Sequence, residues 1–135
     1  MANPNSSGKA YTTLATIVQL FGEDKGFEFM AGLHANINQY TKSGSAPIKA
    51  AARGESTVGI VFMHDAVKQA VAGFPITVVA PCEGTGYEIG SMSIIDGARN
   101  EDSAKAFYDW ALTTEAQNLA LEVNAFQVPS NKSSN

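Results

Sequence analysis

Hydroxyls, glycines and a cation gather where this chain turns into helices, and those are the residue types that hold a small anion. Asn5-Ser6-Ser7-Gly8 leads into the first apolar-periodic stretch. At such a junction the free backbone N–H groups and the positive end of the helix dipole favour negative charge. The dipole contributes about 0.3–2 kcal/mol, and each hydrogen bond to a charged group about 1.5–3 kcal/mol. The competing reading is that Ser6 or Ser7 only caps the helix. Thr41-Lys42-Ser43-Gly44-Ser45 repeats the combination with a lysine added, or is an ordinary surface loop. His64-Asp65 follows the apolar run Val58–Met63 and so stands either at the ligand edge of a sheet or as a helix cap beside a solvated histidine. Glu83 and Glu88 lie in a glycine-rich loop, which either offers a carboxylate to a hydroxyl or is a flexible turn.

Other chemistries fare worse. Gly84-Thr85-Gly86 lacks the third glycine of a dinucleotide fingerprint and precedes a strand-like segment, so no nucleotide cofactor is expected. Two histidines and one cysteine, widely spaced, give no zinc pattern and no metal site. Cys82 reads as a small apolar filler and His34 as a partly buried surface residue. Neighbouring side chains are expected to point apart, so His64 and Asp65 do not make a base and its orienter. Without a nucleophile and its base, no catalytic residue is assigned and the chain does not read as an enzyme. The formal net charge of −4 argues against a nucleic-acid partner, which needs a surplus of Lys and Arg. No apolar run approaches the ~20 residues of a membrane-spanning helix.

The elements that must position these residues alternate between helical and strand-like patterns. The chain has 135 residues, 44% of them hydrophobic and 16% charged, which suits one globular domain over residues 1–135. Leu14, Ile17, Val18 and Phe21 recur at helical spacing and predict a helix over about 7–21, closed by Gly22. A second helix is predicted over about 23–35, then a short strand at 37–41. The loop 42–47 feeds an alanine-rich helix with Pro47 in its first turn, ending at Gly54. Val58–Met63 and Ile76–Ala80 read as strands buried on both faces. Between them a helix starts at His64 or Asp65 and is punctuated by Gly73 and Pro75. After the loop 81–88 come a strand over 89–95, a turn at Asp96-Gly97, a helix opened by Glu101-Asp102 and another opened by Thr113-Thr114-Glu115. The tail 128–135 is expected to fray. This alternation predicts an α/β fold, a three-layer αβα sandwich on a mostly parallel sheet.

An ordered set of motifs carries a family resemblance: Ala2-Asn3-Pro4-Asn5-Ser6-Ser7-Gly8 with Ala10-Tyr11-Thr12, Gly54-Glu55 before Val58-Gly59-Ile60, Thr114-Glu115-Ala116-Gln117, and Phe126-Gln127-Val128-Pro129-Ser130-Asn131. Over nearly its whole length the chain resembles the second, C-terminal lobe of type 2 periplasmic solute-binding proteins of ABC importers, in the branch that holds ferric-iron and hexose-phosphate binders. The resemblance implies one lobe of a two-lobe clamp that closes on its ligand. On this view the chain is a middle segment, with the N-terminal lobe lying before and partly after it. It also implies a periplasmic location and an ABC permease as partner of the full-length protein.

The ferric-iron members place a tyrosine pair after the strand equivalent to Val58–Met63. His64 and Asp65 stand there in this chain, and no Tyr-Tyr pair occurs anywhere. Members that bind phosphorylated sugars have a His-Asp pair at this strand end and a glutamate in the following loop, which carries over to His64, Asp65 and Glu88. The implied site is therefore Ser6, Ser7, Gly8, Thr41, Ser43, Gly44 and Ser45 around a phosphate, with His64, Asp65 and Glu88 on hydroxyls. Lys9 occupies a position where the family more often has Thr; it either adds charge toward an anion or faces solvent. A small anionic solute such as a phosphorylated sugar is the expected ligand, bound weakly by one lobe alone. The alternatives are a ferric-iron-binding lobe and an isolated α/β module that associates with itself.

Overall fold

The computed structural model describes residues 1–134 and contains six helices among them: α1 (Gly8–Phe21), α2 (Glu23–Ala35), α3 (Ala46–Ala52), α4 (Met63–Val71), α5 (Glu101–Ala111) and α6 (Thr114–Glu122). They fall into two compact units, Met1–Glu88 and Ile89 onward.

In the first unit α1 and α2 pack on each other across a one-residue turn. Gly22 makes that turn at φ +80°, a left-handed conformation that costs any residue with a Cβ. Gly26 lets the two backbones approach: a Cβ there would sit 3.1 Å from Val18 Cα and 3.5 Å from the Ile17 carbonyl oxygen. Met1, Ala2 and Ala10 are buried, with Leu14, Leu33, Ile37 and Ile60 packed against them. One parallel bridge joins Ala2 to Thr41. Its hydrogen bonds run from Asn3 N–H to the Thr41 carbonyl at 2.8 Å and from Thr41 N–H to the Met1 carbonyl at 3.1 Å. That bridge brings the loop 41–45 alongside the segment that opens α1. Helix α3 has Pro47 in its first turn, and Pro47, Ile48 and Ala52 are buried. Gly59 lies directly on it, so that a Cβ would fall 2.9 Å from the Pro47 carbonyl oxygen.

The second unit contains α5 and α6. Thr113 caps α6, its hydroxyl accepting from Ala116 N–H at 3.2 Å. The segment after α6 is tied down instead of frayed. Asn131 donates its backbone N–H to Gln117 Oε1 at 2.8 Å and its amide to the Leu112 carbonyl at 2.9 Å, while Gln117 Nε2 donates to Ser130 Oγ at 2.9 Å. The last residue of the expected tail, Asn135, lies outside the described residues.

The helices stand where apolar periodicity and caps place them, but the expected strands do not pair. Among the described residues the Ala2–Thr41 bridge is the only strand-type contact, and 57–62, 75–80 and 87–95 have no ladder. Nor are they buried on both faces: Val58 is 74%, Val79 75%, and Ile89 and Ile95 78% exposed. A buried strand needs paired edges and two covered faces; among the described residues these runs have no paired edge, although Gly59 and Ile60 pack on the rest of the first unit. The helix expected to start at His64 or Asp65 begins at Met63 and takes the end of the Val58–Met63 run into its first turn. Cys82 is an exposed free thiol, not a packed filler.

Candidate functional site

Four segments of the first unit meet around the start of α1. Ser7 holds the N-cap position with an extended backbone (φ −142°, ψ 116°), yet its hydroxyl does not bond the first turn, so it is not spent as a cap. Ser6 Oγ donates to the Asn3 carbonyl at 3.3 Å and to the Lys42 carbonyl at 3.1 Å, which joins this segment to the loop 41–45. Within that loop Thr41 Oγ1 donates to the Ser43 carbonyl at 3.0 Å, and the Ser43 and Ser45 hydroxyls are 3.3 Å apart. Gly44 presses against the first segment: a Cβ there would stand 2.7 Å from Ser7 Oγ and 3.1 Å from Lys9 Cδ.

The first turn of α4 supplies the third segment. Asp65 sits three residues into α4 and does not cap it, because its carboxylate accepts from the Lys9 ammonium. His64 Nε2 lies 3.6 Å from the other carboxylate oxygen of Asp65. The two side chains thus do not point apart as expected of neighbours, since Lys9 turns Asp65 back toward α1. At 3.6 Å there is still no hydrogen bond to orient the imidazole as a base. The Lys9 ammonium is also 5.6 Å from the centroid of the Phe62 ring, within cation–π range.

Glu88 is the fourth contributor. Its carboxylate accepts from Thr12 Oγ1, one turn along α1 from Gly8, and a Cβ on Gly8 would come within 3.2 Å of Glu88 Oε1. The loop that carries Glu88 lies close over α1 at Gly86 also, where a Cβ would collide with Thr16 Oγ1. Ser6, Ser7, Gly8, the 41–45 loop, His64, Asp65 and Glu88 therefore occupy one neighbourhood. Site reasoning missed Thr12, whose signal was its place four residues after Gly8 on the same helix face. Lys9 was visible but without an assigned side of the helix. His34 is elsewhere and exposed, its Nδ1 paired with the Tyr40 hydroxyl at 2.8 Å. An apolar hollow lined by Met1, Leu14, Leu33, His34 and Tyr40 shares none of the site residues.

This arrangement has the parts an anion needs: a helix start, loop hydroxyls and a lysine. It also has two carboxylates and an imidazole suited to neutral hydroxyl groups. Comparisons with known proteins bear on it. A family model described as bacterial extracellular solute-binding protein matches residues 2–135. An uncharacterized protein of Haemophilus influenzae is 55% identical over 120 residues, which cover 89% of this chain and 35% of that protein. Among solved structures, the periplasmic binding protein AfuA of Actinobacillus pleuropneumoniae, with exogenous fructose-6-phosphate bound, superposes with a TM-score of 0.92 at 52% identity. That match covers 100% of this chain and 43% of AfuA. The periplasmic binding protein P5PA superposes with a TM-score of 0.88 at 38% identity, covering 99% of this chain and 43% of P5PA. The chain thus spans well under half the length of each of these relatives.

Proposed function

The chain belongs to the bacterial extracellular solute-binding proteins, and from that membership we propose that it is the second lobe of a two-lobe importer subunit that binds a phosphorylated sugar. The observation that carries the reading is the meeting of Ser6, Ser7, the 41–45 loop, His64, Asp65 and Glu88 in one neighbourhood. On this reading Ser6, Ser7, Gly8, Thr41, Ser43, Gly44 and Ser45 face the phosphate. His64, Asp65 and Glu88 face sugar hydroxyls. The fructose-6-phosphate held by AfuA, at 52% identity, supports the ligand class.

The same reading supplies what the apolar segments 57–62, 75–80 and 87–95 lack. They become strands of a mostly parallel sheet in a three-layer αβα sandwich when the rest of the relatives' length is present. Support comes from their exposure: Val58, Val79, Ile89 and Ile95 are each at least 74% exposed. The full-length protein works in the periplasm and delivers its ligand to an ABC permease. It performs no chemistry on the ligand, in keeping with relatives that are binding proteins. A ferric-iron site is disfavoured by His64 and Asp65 standing where that branch places two tyrosines.

Closing two lobes supplies contacts from both sides. If the other lobe contributes about 4 kcal/mol, a micromolar ligand for the pair becomes millimolar for this lobe alone. Calorimetric titration of glucose 6-phosphate into the full-length protein tests the proposal. Binding is expected there and only weak binding to the 135-residue chain. No heat from the full-length protein rejects the sugar-phosphate reading.

A further inference from the structure

The Lys9–Asp65 pair raises a question of charge. A site for a doubly charged phosphate has Asp65 in it, with only 16% of that side chain exposed, and Glu88 close by. An unscreened carboxylate there would repel the ligand, since charges near a protein surface interact several times more strongly than in bulk water.

Lys9 is held in a way a solvent-facing lysine is not. Its stem passes Gly44, whose missing Cβ leaves room at 3.1 Å from Cδ and 3.5 Å from Cγ. Its ammonium lies 5.6 Å from the Phe62 ring centroid and pairs with Asp65, and its side chain is 28% exposed. Three separate elements (the loop 41–45, the residue before α4, and α4 itself) fix where the charge sits. His64 on α4 faces Asp65 at 3.6 Å, and Glu88, held by Thr12 of α1, lies against Gly8, the residue before Lys9.

We propose that Lys9 is a positioning and charge-compensating residue: it neutralises Asp65, so that this carboxylate can accept from a sugar hydroxyl without repelling the dianionic phosphate. The inference rests on the sugar-phosphate reading above and deepens it. Lys9 acts on ligand choice through Asp65, not by touching the phosphate.

The test uses two ligands that differ by one charge, glucose 6-phosphate and glucose 6-sulfate, titrated calorimetrically into the full-length protein at pH 7.5. A phosphate monoester has its second pKa near about 6 and is mainly a dianion there, whereas the sulfate ester is a monoanion. Lys9→Met keeps a stem of similar length against Gly44 and Phe62 but removes the charge. It is expected to lower the phosphate-to-sulfate affinity ratio about tenfold, as one added net negative charge acts on one extra ligand charge. The double variant Lys9→Met with Asp65→Asn restores the net charge and leaves only a weaker, neutral amide acceptor for both ligands alike, so both affinities fall while the ratio returns to its wild-type value. Lys9→Arg preserves the ratio. These three results together support the assignment.

Equal loss of both ligands in Lys9→Met makes Lys9 merely structural and overturns it. A ratio still depressed in the double variant means that the ammonium meets the phosphate directly, which overturns compensation. If the unaltered protein binds neither ester, the sugar-phosphate reading itself fails, and this is distinguishable because no variant enters into it.

Discussion

Replacing Gly44 and Gly59 by alanine, one at a time, should split ligand binding from folding. The nearest atoms to a Cβ at position 44 are Ser7 Oγ at 2.7 Å and Lys9 Cδ at 3.1 Å, both on flexible side chains that can shift away. An off-rotamer or rotated side chain costs about 0.5–1.5 kcal/mol, and the alanine returns about 0.4–1 kcal/mol by restricting the unfolded chain. These nearly cancel, so Gly44→Ala should leave the melting temperature almost unchanged. Binding should suffer instead, because the Ser7 hydroxyl is turned from the ligand. Loss of one hydrogen bond to a charged group is worth about 1.5–3 kcal/mol, or roughly 10- to 150-fold in affinity. At position 59 the nearest atom is the Pro47 carbonyl oxygen at 2.9 Å, with the carbonyl carbon at 3.2 Å. Backbone at the start of α3 cannot rotate away, and overpacking of this kind costs about 1–3 kcal/mol. Gly59→Ala should therefore lower the melting temperature but leave the affinity of the folded protein as it was. Differential scanning calorimetry and ligand titration of both variants of the full-length protein make the comparison. Wild-type affinity in Gly44→Ala, or equal damage to binding by both, refutes the reasoning.

Three further outcomes are expected. Thr113→Ala removes the acceptor for Ala116 N–H and should cost about 0.5–2 kcal/mol in chemical denaturation, the usual value of an N-cap; no measurable change would show that α6 does not depend on it. The Arg53 guanidinium, hydrogen-bonded to Glu55, holds the Glu55 carboxyl below its ordinary value of 4.5. Its contribution to stability is therefore present above the unfolded-state pKa and is lost as pH falls through the lower folded value; in an NMR titration Arg53→Ala should raise the Glu55 midpoint. Finally, the exposed Val58, Val79, Ile89 and Ile95 should drive the 135-residue chain to associate, seen as concentration-dependent light scattering, and a strictly monomeric chain would contradict this.

The helices were legible in the sequence because their signals are local. Leu14, Ile17, Val18 and Phe21 at helical spacing with Gly22 after them gave α1 to within a residue, and Thr113 marked the start of α6. The strands were not so determined. Val58–Met63 has the composition of a buried strand, but a strand exists only when another edge pairs with it, and composition does not say where that edge is. The tail misled for a related reason: its residues look polar and free, yet Asn131 finds Gln117 and Leu112. In the candidate site, residue types pointed to segments that the structure brings together, while their mutual contacts were invisible. The Lys9–Asp65 pair spans 56 positions, and nothing in local spacing announces a contact over such a separation.

On the proposed reading Ser6 to Lys9, the 41–45 loop, His64-Asp65 and Glu88 form one ligand mouth. Chemical-shift mapping of glucose 6-phosphate on the isotopically labelled full-length protein tests it most directly. Within this chain the largest changes should fall on those segments. Saturable binding whose shifts bypass Ser7, Gly44, Asp65 and Glu88 would place the ligand somewhere else and contradict the account.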